Sequence, residues 1–107
     1  MKELLIVETR DAAEHRGPGP MADLARGMVE AGVPTSLFLT ENAVFAARDL
    51  PENPFAGAIA AGVAVSADRF ALNERAIEES ELQSGIGPSD IDMIVGHLAA
   101  GACVMWR

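Results

Sequence analysis

The stretch "AVSADRFALNERAIEESEL", Ala64 to Leu82, decides how the chain is read. It begins inside a short apolar run, "GVAVS" from Gly62 to Ser66, of the kind that forms a strand buried on both faces. At Ser66-Ala67-Asp68-Arg69 the pattern turns polar. The following "ADRFALNERAIEE" has helix-forming composition, with Phe70, Leu72 and Ile77 expected to reach the core. A strand that runs straight into a helix is the joint of a layered α/β fold, and polar residues at such a joint stand where parallel sheets place their ligands.

The same alternation extends in both directions. Upstream, "ELLIVET", Glu3 to Thr9, is a second continuous apolar run and predicts a buried strand. After the turn-rich "RDAAEHRGPGP", Met21, Leu24, Ala25, Met28 and Val29 recur at i, i+3, i+4, i+7 and i+8, which predicts a helix stopped at Gly32. "VPTSLFL", Val33 to Leu39, is β-branched and apolar enough for another strand, and Thr40 is placed to cap a short helix through "ENAVFAARD". The "PENP" of Pro51 to Pro54 separates that helix from a small one, Phe55 to Ala61. Downstream, Pro88 and Ser89 resemble a helix start. A stripe of Ile91, Ile94, Val95 and Leu98 follows and ends at Gly101, and "ACVMW", Ala102 to Trp106, reads as the closing strand. These elements predict one α/β domain over residues 1–107, a sandwich around a mostly parallel sheet with right-handed crossovers.

Composition narrows the function. Eight Lys and Arg against sixteen Asp and Glu leave a net charge of −8, which argues against nucleic acid as a partner, since phosphate binding needs clustered cations. The single cysteine, Cys103, allows no intrachain disulfide and no Cys-rich zinc site, and fits a reducing, cytoplasmic setting. The two histidines, His15 and His97, have no metal spacing, and no metal is expected; no cofactor is expected either. Near the N-terminus only "LLIV" is continuously apolar, too short for a signal peptide or a membrane span. "GPGP", Gly17 to Pro20, reads as a structural turn: two of its four residues lack the N–H that a phosphate cradle uses.

The loops that follow the strands supply the candidate site. They carry Thr9, Arg10, Asp11, His15 and Arg16, then Thr40, Glu41 and Asn42, then Ser66, Asp68 and Arg69. Of these, Asp68, Arg69, Ser66, Arg10, Asp11, His15, Thr40 and Asn42 are the ligand-binding candidates. Asp68 has two readings, as a cap on the helix that it opens or as a ligand contact, and Ser66 shares both. His97 is expected to be a half-buried helix residue. Cys103, within an apolar strand, is expected to be a small core residue, and it is the candidate nucleophile only if the strand end exposes it.

The central segment "VAVSADRFALNERAIEESELQSGI", together with "EAGVPTSLFLTENAV" before it, resembles the DsrE/DsrF family, small domains that include sulfur-relay subunits of the Tus type. In that family the strand is followed by a cysteine, three residues, a leucine, a few polar residues, an Arg-Gly-like pair and an aliphatic. Here Leu72 matches the leucine, Arg75 and Ala76 the pair and Ile77 the aliphatic, while Asp68 falls on the cysteine and Ala71 on a second cysteine found in some members.

The resemblance implies a three-layer, flavodoxin-like sandwich of about five strands, assembly into trimers or hexamers and, where the cysteine exists, transfer of persulfide sulfur between partner proteins. A carboxylate cannot carry sulfane sulfur. The expectation is therefore a non-catalytic oligomeric subunit, or a module that binds a small ligand or a protein partner. One alternative is a sulfurtransferase that uses Cys103; the other is an unrelated small enzyme that pairs His15 with Asp11 or Asp68. The apolar terminal strand with Trp106 agrees with self-association.

Overall fold

The computed structural model describes residues 2–14 and 16–107. Its centre is a five-stranded sheet of β1 (Leu4–Glu8), β2 (Thr35–Leu39), β3 (Ala64–Asp68), β4 (Ile86–Ser89) and β5 (Cys103–Trp106), in the order β4-β3-β2-β1-β5. Every pairing within it is parallel. The apolar runs are continuous because successive side chains enter two different cores. Leu4, Ile6, Leu37 and Leu39 join one buried cluster, and Leu5, Val7 and Phe38 join another.

On the first face lie α1 (Gly19–Glu30), a tight 3₁₀ segment (Glu41–Ala47), α2 (Ala56–Ala61) and α3 (Arg69–Glu74). They meet the sheet mainly through small residues, Ala22, Ala25, Ala43, Ala47, Ala58 and Ala71, with Phe55 and Leu72 filling the larger gaps. Gly32 at φ +91° and Gly62 at φ +106° close α1 and α2 in the left-handed conformation that glycine adopts without strain. Among the described residues the second face carries one helix, α4 (Asp92–Ala99), the crossover from β4 at one edge to β5 at the other. Its Ile94 is buried against Leu5, Val7 and Phe38. Helix layers on both sides of a parallel sheet make this a three-layer, flavodoxin-like α/β fold. Among the described residues no helix is long and apolar enough to cross a membrane.

Five expectations about these elements change. Pro88 and Ser89 do not open a helix; they end β4, with Pro88 opposite Ala67, and proline is tolerated there because β4 is an edge strand. The stripe on α4 buries only Ile94 and leaves Ile91, Val95 and Leu98 exposed. Phe70, expected in the core, is 67% exposed, because the buried side of α3 is set by Ala71 and Leu72. Cys103 is exposed as well, since β5 is an edge strand. Leu72 and Ile77 are buried, but α3 stops at Glu74 and Ala76 takes φ +54°, so the helix is shorter than its composition suggests.

Candidate functional site

The β3–α3 joint places Asp68 as both the last residue of its strand and the cap of its helix. Its Oδ1 accepts the Phe70 N–H at 3.2 Å, and its Oδ2 accepts the Thr40 hydroxyl at 2.7 Å. Only 6% of the residue is exposed. Pairing of Leu39 with Ala67 brings Thr40, the residue after β2, beside Asp68. Thr40 therefore does not cap the 3₁₀ segment with its side chain, as the sequence suggests; it donates across the sheet end instead. A buried carboxylate requires such donors, because desolvation without them is costly.

Thr40 and Asp68 form the floor of a cleft of about 360 Å³ beyond the carboxyl ends of β2 and β3. Its walls come from Glu41, from Phe70, Ala71, Glu74 and Arg75 at α3, from Ile91 just before α4, and from Trp106 at the end of β5. The volume is at the lower end of what small-molecule sites use. Arg75 is held in place from several sides: Nη2 and Nε donate to Asn42 Oδ1 at 3.1 and 3.4 Å, and Nη1 donates to the Ala71 carbonyl at 3.3 Å. The guanidinium also lies 5.8 Å from the centre of the Phe45 ring. Asn42 in turn donates to Glu14 Oε1 at 2.7 Å, and Glu14 Oε2 accepts the Asp11 N–H at 3.2 Å. Asn42 thus positions a wall residue and does not itself line the cleft.

The remaining candidates are dispersed. Arg69 points outward to Asp90 at 3.2 Å, a half-exposed pair. Ser66 lies on the α4 side and donates to Met93 Sδ at 3.4 Å, beside a shallow groove that also includes Ser36 and His97. Asp11 lines a separate cavity of about 250 Å³ with Phe45, Arg48 and Leu50. The Arg10 main-chain N–H donates to Glu8 Oε1 at 3.0 Å. His15 lies outside the described residues, and with it the acid–base pairing suggested for it.

Cys103 opens β5 opposite Leu4, at the amino end of the sheet and far from Asp68. His97, half-buried as expected, is also at that end, with Nδ1 2.5 Å from Glu3 Oε1. The register gives Cys103 the face of Leu4, whereas His97 lies in the α4 layer, so thiol and imidazole do not form a pair. Among the described residues no three His, Cys, Asp or Glu side chains are grouped to hold a metal ion.

Several wall residues escaped the sequence reading. Glu41 reads in the sequence only as a loop residue, and Glu74, Ile91 and Trp106 share no local pattern with it, because the four come from separate segments of the chain. Glu8 is not among the sequence candidates either: it is fully buried at the end of β1, and its Oε1 accepts the N–H groups of Thr9 and Arg10. Its Oε2 has no hydrogen bond and lies 3.8 Å from Arg107 Nη1. The signal was present in the acid that closes the apolar run "LLIVE".

No protein-family model and no curated protein matches the chain. Solved structures do. A protein of unknown function from Methanobacterium thermoautotrophicum is similar with a TM-score of 0.82 and 15% identity, each chain being covered in full. The ychN protein from E. coli is similar with a TM-score of 0.81 and 19% identity, also over 100% of both chains. A conserved protein of unknown function from Bacteroides thetaiotaomicron has a TM-score of 0.79 and 14% identity, over 99% of this chain and 95% of the other. At such identities the likeness establishes the shared α/β fold.

Proposed function

We propose that the chain is a DsrE/DsrF-like protein of the sulfur-relay type that does not carry sulfur in its cleft and serves as a self-associating subunit that binds a small ligand or a protein partner. The observation that carries this reading is Asp68. At the strand-to-helix joint where the resembled family has its thiol, this chain has a buried carboxylate held by Thr40 and the Phe70 N–H. Sulfur relay needs a thiolate that attacks the outer sulfur of a donor persulfide, forming a new S–S bond and releasing the donor thiol. Asp68 has no sulfur with which to do this, whereas the cleft that it floors keeps the volume of a binding site.

A second copy of the chain is the proposed partner. Ile91, Val95, Leu98, Met105 and Trp106, all exposed, lie on α4 and β5 or immediately beside α4. A concentration of apolar side chains on one helix and one open sheet edge is a self-association surface, and the resemblance supports a trimer or hexamer. The acidic balance continues to favour partners other than nucleic acid, and a cytoplasmic setting suits the accessible thiol.

The test is sulfur uptake. Protein treated with a low-molecular-weight persulfide and then separated from it is expected to hold no cyanide-labile sulfur, while Asp68→Cys is expected to acquire one equivalent. The exposure of Cys103 gives the competing reading a definite form. Uptake by the wild-type chain that disappears in Cys103→Ser, followed by delivery to an acceptor thiol, would replace the binding role with sulfur transfer.

A further inference from the structure

The cleft at Asp68 has a chemistry that selects one class of ligand. Three carboxylates border it, Asp68, Glu41 and Glu74, against one guanidinium, Arg75, which is already engaged by Asn42 and the Ala71 carbonyl. Asp68 accepts one hydrogen bond at each oxygen, and a carboxylate oxygen has room for a second. The other walls are large and apolar, with Phe70 67% exposed and Trp106 58% exposed, so both rings are accessible to a ligand in the cleft. Aromatic faces attract organic cations, most strongly where water is excluded, and a nearby carboxylate adds to that attraction.

We propose that this cleft binds a small organic cation, an ammonium group on an apolar or aromatic body, with Asp68 as counter-ion and Phe70 and Trp106 as walls. The inference rests on the binding role argued above and names the ligand class of that same site. An anion of the same shape meets an excess of negative charge. A bare metal ion finds aromatic carbon over much of the wall, where it has no donor atoms. A cation with an apolar body satisfies both parts of the cleft, and the chain's net charge of −8 favours its approach.

Trp106 supplies the readout. It is the only tryptophan, and the chain has no tyrosine, so protein fluorescence excited at the red edge of the band comes from the cleft wall. Titration with benzyltrimethylammonium is expected to change that emission saturably, while phenylacetate and benzyl alcohol at equal concentration leave it unchanged. Asp68→Asn should weaken the apparent Kd by about tenfold or more, and Glu41→Gln with Glu74→Gln by about threefold, as the loss of nearby opposite charges requires. The second variant alters two exposed side chains only, so it reports even if Asp68→Asn destabilises the fold. Titrations at two protein concentrations separate ligand binding from self-association.

Equal or tighter binding of phenylacetate, or cation binding that neither variant weakens, overturns the proposal. Saturable phenylacetate binding that Asp68→Asn abolishes would overturn the cation assignment and leave the cleft a binding site. A flat titration with all three probes likewise overturns it, and the proposed function then stands or falls on sulfur uptake.

Discussion

The two faces of the sheet are built from the same strands and finished in opposite ways. On one, four segments rich in alanine close over Leu4, Ile6, Leu37 and Leu39 and leave Phe55 fully buried. On the other, a single helix of eight residues covers Leu5, Val7 and Phe38 through Ile94 and turns Val95 and Leu98 to solvent. Small side chains let backbones approach closely, so the first face is sealed over β1, β2 and β3, while at β5 its Cys103 and Met105 stay exposed. The second has too little helix to seal it and presents apolar surface outward. The difference teaches that apolar burial is concentrated on one side of this molecule and that the helix on the other leaves apolar side chains exposed, with the Asp68 cleft between α3 of the first layer and the start of α4 in the second.

The largest expected effect breaks the comparison directly. Phe55→Ala, on the sealed face, should cost about 3–5 kcal/mol, because a fully buried aromatic leaves a cavity that its surroundings cannot fill. Ile94→Ala, on the thin face, should fall near the low end for its type, about 2 kcal/mol, since one helix can settle onto the sheet. Denaturant midpoints of the two variants decide, and equal losses would mean that the faces do not differ as described.

Thr40→Val sharpens the comparison at the cleft, where the two layers meet. It removes the hydroxyl that donates to Asp68 while preserving shape, and should cost about 1–3 kcal/mol, the range for a buried acceptor that loses its partner. Thermal unfolding of the variant measures it; no loss would mean that water replaces the hydroxyl and that the floor of the cleft is wet.

The smallest effect on folding and the largest on assembly are expected from Val95→Glu with Leu98→Glu. Both side chains are exposed, so the stability of the isolated fold should change by about 0.5 kcal/mol or less for each. Sedimentation velocity should then show a monomer at concentrations where the unsubstituted chain is expected to self-associate. A monomeric unsubstituted chain at micromolar concentration would overturn the proposed self-association.

Much of the architecture could be read along the chain. β1, β2, β3 and β5 announced themselves as continuous apolar runs, and α1 as a helical stripe that ends at Gly32, because a strand buried on two faces and a helix buried on one leave periodicities of their own. β4 did not: "IGPS" has one buried residue, a glycine and a proline, and is a strand only because Val65 pairs with Ile86 beside it. The site was half legible. Asp68 and Thr40 stood in loops after strands, and the structure unites them; Arg69, Ser66 and Asp11 stood there too, and their side chains serve an outward ion pair, a groove on the α4 face and a different cavity.

The sequence by itself determined the layered α/β class, the parallel strands and the absence of a thiol at the β3–α3 joint. These depend on local periodicity and on the identity of one residue. Only the tertiary structure decided that Phe70 and Trp106 face solvent around Asp68, that Cys103 lies open at the other end of the sheet, and that α4 turns Val95 and Leu98 outward. An apolar residue declares that it prefers burial, but whether anything covers it depends on where the chain places the elements around it. Here one helix crosses a whole face of the sheet, and it is too short to cover that face.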